Sequence, residues 1–150
     1  RITGTRESYS SPIPEPFTFI PDDQHSIELA DGSTSSSLLE LFGRPARDTG
    51  LESERNNATT ETQRMHMLNS SHIQNKIQNS GKLRTLANAQ RGNRVALIDS
   101  LYLTILSRYP TADERTVVQK YFGDEKSNPG QAVNDLVWAL VNTQEFLYRH

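Results

Sequence analysis

Between Asn93 and His150, apolar residues recur at helical spacing in blocks cut by helix-breaking residues, and no other feature of the chain constrains its fold as much. In NRVALIDSLYLTILSRYP, residues 93–110, Val95, Ile98, Leu101, Tyr102, Ile105 and Leu106 fall on one broad arc of a helix. Pro110 ends that helix, since proline offers no N–H and clashes with the preceding turn. A capping box of Thr111 and Glu114 starts the next, where Val117, Val118, Tyr121 and Phe122 are expected to face inward until Gly123. After DEKSNPG, the residues Val133, Leu136, Val137, Leu140 and Val141 line a last long helix. Trp138 flanks this stripe and is expected to be largely buried against the 95–106 helix. LVWALVNTQEFLYRH, residues 136–150, stops at Asn142 and restarts at Thr143, which reads as the closing of a domain. Loops this short make the three helices antiparallel neighbours.

Upstream the same rhythm is weaker. Three further capping boxes stand where apolar periodicity begins: Ser37 with Glu40, Thr60 with Gln63, and Ser71 with Gln74. SLLELFGRP gives a short helix stopped by Gly43 and Pro45. Met65 and Leu68 share a face up to Asn69, Ile73 and Ile77 form an i, i+4 stripe, and Leu83 and Leu86 sit on a further short turn. Residues 1–36 differ in kind. Pro12, Pro14, Pro16 and Pro21 favour an extended arm, read as packed on its own domain rather than as a ligand for an SH3-like groove. FTFI (17–20) and SIEL (26–29) alternate and are candidates for one short β-hairpin. The expectation is a mainly α protein: a small bundle of short helices over residues 37–150 with an irregular, Pro-rich N-terminal arm over residues 1–36.

Composition excludes several function classes. There is no cysteine, which removes disulfides, thiolate nucleophiles, zinc ribbons and iron–sulfur ligation. AVILMFWYC residues supply 34%, the net charge is −2, and no apolar run approaches a membrane span or a signal segment. Catalytic and nucleotide-binding signatures such as G-x-S-x-G, H-E-x-x-H and G-x-G-x-x-G are absent. The histidines at 25, 66, 72 and 150 form no i, i+3 or i+4 ligand pair, so neither a metal nor a cofactor is expected. The chain opens at Arg1 rather than Met and is read as a C-terminal piece of a longer protein.

Two charged regions remain. In GRPARDTGLESERNN, residues 43–57, Arg44, Arg47, Asp48, Glu52, Glu54 and Arg55 crowd one segment, either as an internal ion-pair network or as a binding site. The candidate site residues are Arg44, Asp48, Glu54 and Arg55, together with His66 and Asn69 on the following helix. Between Glu61 and Asp99 there is no acid, while Arg64, Lys76, Lys82, Arg84, Arg91 and Arg94 are all basic. This stretch is read as a solvated face and not as a nucleic-acid site. No aromatic residue lies between Phe42 and Tyr102 to serve as a stacking platform.

FGRPARDTGLESERNN, QRMHMLNSSHIQNKI, LYLTILSRYPTADE and LVWALVNTQEFLYRH, in that order, resemble the C-terminal part of the domain of unknown function 1553 family, from about Ser10 to His150. The resemblance implies a C-terminal domain of a secreted or periplasmic multidomain protein of planctomycete type. Other domains of the same polypeptide, including a cytochrome-c-like module, are then its expected partners. Leu51 and Ser53 stand where some relatives carry cysteines, so no thiol-based redox or metal role carries over. The function expected is a non-catalytic structural or docking module. The alternative is a ligand-binding domain, with carbohydrate as a candidate ligand, sited near the 44–55 segment and His66.

Overall fold

A computed structural model describes residues 2–7, 9–11, 13, 20–21, 24–29, 34, 36–42, 60–123 and 128–147. Among them the protein is mainly helical and has no strand: α1 (Ser37–Leu41), α2 (Glu61–Asn69), α3 (Ser71–Gln78), α4 (Gly81–Ala89), α5 (Arg94–Leu106), α6 (Ala112–Gly123), α7 (Pro129–Val141) and α8 (Gln144–Leu147). The chain divides into two compact units, one of Arg1–Thr5 with Met65–His150 and one of Arg6–Arg64. Among the described residues no helix is long and apolar enough to cross a membrane.

The first unit is built on α5 and α7, which pack on each other and on α6, with α3 and α4 also against α7 and α8 across the far ends of α5 and α7. Ile98, Leu101 and Val137 are completely buried, and Leu97, Tyr102, Ile105, Leu106 and Leu140 enclose them. Removing such side chains from water contributes about 1.5–3 kcal/mol each, so this apolar seam holds the unit together. The stripe expected on α7 is buried throughout, and so are Ile77 and Leu83. Thr143 joins α7 to α8 as expected: its hydroxyl donates to Leu140 O (2.7 Å) and accepts from Phe146 N (3.2 Å).

Several expected faces are rotated. On α5, Leu97 takes the buried place expected for Val95, which lies in the first turn beside an open cleft. On α6 only Val118 and Phe122 are buried; Val117 is 67% exposed and Tyr121 44%. The cause is a narrow contact. Residues 115, 118 and 122 make a single stripe at i, i+3 and i+7, in which Arg115 pairs with Asp99 of α5 (2.8 Å). Tyr121 keeps its ring at the surface by donating to Asp135 of α7 (2.7 Å). On α2, Met65 and Leu68 are exposed and Met67 packs on the core. Trp138 is packed on the core but only partly buried, less than expected, and it lines a small groove with Gln74, Ile77 and Gln78 of α3.

Caps explain the helix boundaries. Thr60 with Gln63, and Thr111 with Glu114, form the reciprocal boxes read from the sequence, with all four bonds between 2.8 and 3.3 Å. The Ser71–Gln74 box does not form; α3 already starts at Ser71, with Ser70 in the cap position. Three further caps stand outside the expected boxes: Ser80 accepts from Leu83 N (3.1 Å), Asn93 from Ala96 N and Asn128 from Gly130 N (both 3.0 Å). Ser80 also donates to the Thr3 carbonyl, which ties the first residues to α4, while Ile2 packs on the core. Gly4 takes a left-handed φ of +63°, a conformation that L side chains rarely adopt, and so lets the backbone turn at this point.

In the second unit, Ser26–Glu28 form one 3₁₀ turn, so SIEL is not a strand. The turn closes because the Glu28 carboxylate accepts from His25 N (3.1 Å) while the Gln24 amide donates to Glu28 O (2.8 Å). The 17–19 half of the expected hairpin and the side chains of the Ser37–Glu40 box lie outside the described residues. Gln63, besides its box with Thr60, donates to Leu41 O at the C-terminal end of α1 (2.9 Å).

Candidate functional site

Of the residues expected to form a site, Arg44, Asp48, Glu54 and Arg55 lie outside the described residues. His66 and Asn69 are one turn apart on α2. His66 is half-buried with its carbonyl accepting from Ser70 N (2.9 Å), and Asn69 is exposed at the helix end. Their position near a helix junction follows from the Asn69 stop that the sequence displays.

The densest polar constellation among the described residues stands elsewhere, where α5, α6 and α8 meet. α5 ends at Ser107, which takes the left-handed conformation (φ 56°, ψ 27°) and turns the chain toward α6. Arg108 follows directly. Its Nε donates to both carboxylate oxygens of Glu145 on α8 (2.9 Å each), and Nη2 adds a third bond to Glu145 (2.8 Å). Nη1 and Nη2 each donate to Glu114 of α6 (2.8 Å), and Nη1 also reaches Tyr109 O (3.0 Å). The guanidinium carbon lies 5.6 Å from the centre of the Tyr102 ring. A guanidinium has five N–H donors in a planar fork, and here every nitrogen is engaged with protein oxygen.

The electrostatics follow from this geometry. The Arg108 hydrogen bonds hold the Glu114 carboxyl at about 2, well below its ordinary value, against an opposing effect of burial and with help from Thr111 N–H. Hydrogen bonds to Glu114 and Glu145 raise Arg108 above an already high value. Burial, followed by the nearby Glu114 charge, pushes the Tyr102 phenol up. A permanently protonated guanidinium, a carboxylate that takes no proton near neutrality and a phenol that keeps its own are poorly matched to proton transfer. The arrangement is a clasp across three helices. The sequence displayed half of it, because the Thr111 box fixes Glu114. Nothing along the chain ties Arg108 to Glu145, 37 positions away.

A second feature is a cleft of about 1090 Å³ between α4, α5, α6 and α7. Leu83, Leu97, Phe122 and Val133 give it an apolar floor; Arg84, Arg91 and Arg94 stand around it, and no Asp or Glu is among the described residues that line it. Gly92 (φ 91°) supplies the left-handed turn between α4 and α5 that places Arg91 and Arg94 on either side of it. These arginines belong to the basic stretch read as a solvated face. They are exposed, as expected, but three of them also share one concavity. Among the described residues no group of His, Cys, Asp and Glu is arranged to hold a metal ion.

The family model described as "Protein of unknown function (DUF1553)" matches residues 23–122, two thirds of the chain. The chain belongs to that family. The DUF1553 match takes in Arg108, Glu114 and the three cleft arginines, together with the charged 43–57 segment; Glu145 and the α7 wall of the cleft lie beyond it. No curated protein and no solved structure matches the chain. Family membership therefore places the module without supplying a reaction.

Proposed function

We propose that this DUF1553 chain is a non-catalytic helical module, serving as a structural and docking unit in a larger extracytoplasmic protein. The observation that carries the reading is the saturated Arg108 clasp. The most elaborate polar arrangement described spends its donors on holding α5, α6 and α8 together, and keeps its acid and base groups in fixed protonation states. Val117 and Tyr121 are exposed one turn apart on α6, and that face of the helix is the docking face proposed. The partners proposed are other domains of the same polypeptide, among them a cytochrome-c-like module. Secretion or a periplasmic location is proposed with them, on the family resemblance alone.

The test is amide hydrogen exchange on the full-length polypeptide and on the isolated chain. Docking through α6 slows exchange across residues 112–123 in the full-length protein, and Val117→Asp reverses the effect. Equal exchange in both settings overturns the docking reading. Fractionation of the native cells then tests the compartment, and a cytoplasmic signal rejects it.

A further inference from the structure

We infer that the cleft between α4 and α7 is a binding site for a small soluble anionic amphiphile, a molecule with a carboxylate, sulfonate or phosphate head and an apolar body. The docking reading assigns the cleft no role, so the two stand or fall separately. Three features converge. The floor is apolar, and the cleft's volume of about 1090 Å³ lies just above the roughly 300–1,000 Å³ usual for small-molecule pockets. Its cations are Arg84, Arg91 and Arg94, and none of them forms an ion pair or side-chain hydrogen bond with the described residues. Arg94 Nη1 reaches over the end of α6, 3.8 Å from where a Cβ on Gly123 would stand.

Arg108 and Arg115 are placed differently. Those two arginines are matched to carboxylates at 2.8 Å, so this chain supplies acidic partners where a guanidinium serves the fold. Among the described residues that line the cleft it supplies none. Like charges gathered over low-dielectric walls focus a positive potential within the concavity, even on a chain of net charge −2. A planar fork of N–H donors suits an oxyanion, and the apolar floor suits the ligand's body. Phe122 is the one aromatic among the described residues that line the cleft and is buried, so they offer successive nucleic-acid bases no stacking platform.

The probes are anilinonaphthalene sulfonate and dodecanoate below its micellar concentration, titrated into the chain and followed by fluorescence and by amide chemical shifts. Expected are saturable one-to-one binding that weakens with added salt, and shift changes centred on Arg84, Gly92, Arg94 and Gly130. Replacing all three cleft arginines by Gln should weaken binding about 30-fold or more, each lost charge-assisted contact being worth up to roughly tenfold. The triple Lys variant keeps the charge and should retain most of the affinity. Its binding distinguishes a lost site from a lost fold, as does an unchanged circular dichroism spectrum. Equal affinity for dodecanol, equal binding by the Gln variant, or shifts confined to another surface would each overturn the inference. Binding to phosphatidylglycerol vesicles without binding of free dodecanoate would assign the cleft to a membrane surface and overturn it as well. Tighter binding of a single-stranded oligonucleotide would do the same.

Discussion

The guanidinium of Arg108 grips the carboxylate of Glu145 through both Nε and Nη2, at 2.9 and 2.8 Å, although the two stand 37 positions apart in the chain. That contact, shared with Glu114, fastens α8 onto the corner between α5 and α6. The side chains remain partly exposed, at 32% for Arg108, 34% for Glu114 and 37% for Glu145, so solvent screens each pair. The value of the arrangement lies in one cation satisfying two carboxylates at once.

Replacing Arg108 by Gln therefore leaves Glu114 and Glu145 facing each other without their common cation. The expected loss is about 1–2 kcal/mol, after discounting for exposure. Arg108→Lys should recover only part of it, because an ammonium cannot reproduce the planar fork. Glu145→Gln should cost less, and the double variant less than the sum of the singles. Urea unfolding of the four proteins measures these differences, and strict additivity would show that the three side chains do not act as a unit.

The pH dependence of stability should carry the mark of Glu114. Its folded value, about 2, lies below the ordinary 4.5, so the folded state binds the proton less readily than the unfolded one. The stabilisation from this group is fully present above pH ~4.5 and is lost as pH falls toward 2. Urea midpoints measured from pH 6 to pH 2 should fall through that window, and Glu114→Gln should flatten the fall. An unchanged profile in the variant would remove Glu114 from the account.

Ser80 has a double duty. At 2% exposure its hydroxyl accepts from Leu83 N and donates to Thr3 O, so it caps α4 and anchors the first residues. Ser80→Ala removes the cap and strands a carbonyl, at an expected cost of about 1–2 kcal/mol. Exchange at the amides of residues 2–5 should quicken in the same variant. If it does not, the tie to Thr3 is unimportant.

Which parts of this were legible depends on how local the signal is. Thr60 with Gln63 and Thr111 with Glu114 could be read because a box needs only four consecutive residues, and both form. The α7 stripe could be read because α7 is covered by α3, α4, α5, α6 and α8, so nearly every apolar position on it is used. The buried face of α6 is not legible, because four apolar residues stand in two adjacent pairs, 117–118 and 121–122, and periodicity cannot choose between members of a pair. The neighbours of α6 choose, through the Arg115–Asp99 pair and the Tyr121–Asp135 bond. The clasp and the cleft arginines meet through tertiary geometry, for which spacing along the chain gives no sign. The charged segment at Arg44, Asp48, Glu54 and Arg55, tempting from composition, lies outside the described residues.

The choice within α6 is itself measurable. Val118→Ala removes buried methyl groups beside Phe122 and should cost about 2–3 kcal/mol. Val117→Ala, at a residue 67% exposed, should stay within about 0.5 kcal/mol. Comparable losses at both positions would mean that α6 is rotated from the orientation described.

Ser107 is the one non-glycine among the described residues with positive φ, at 56°. It stands just past the last turn of α5, where its N–H donates to Leu103 O (3.1 Å) and where glycine is the usual occupant. A side chain in this conformation costs roughly 1–2 kcal/mol, which the following Arg108 clasp and the buried Pro110 hold in place. Ser107→Gly relieves that strain but enlarges the freedom of the unfolded chain, so the expected net gain is about 0.5–1 kcal/mol. Ser107→Val should lose more than 1 kcal/mol, since β-branching crowds the left-handed region further. Thermal unfolding of the two variants should therefore move in opposite directions from the parent. If glycine destabilises, the serine hydroxyl rather than the backbone geometry is what the position requires.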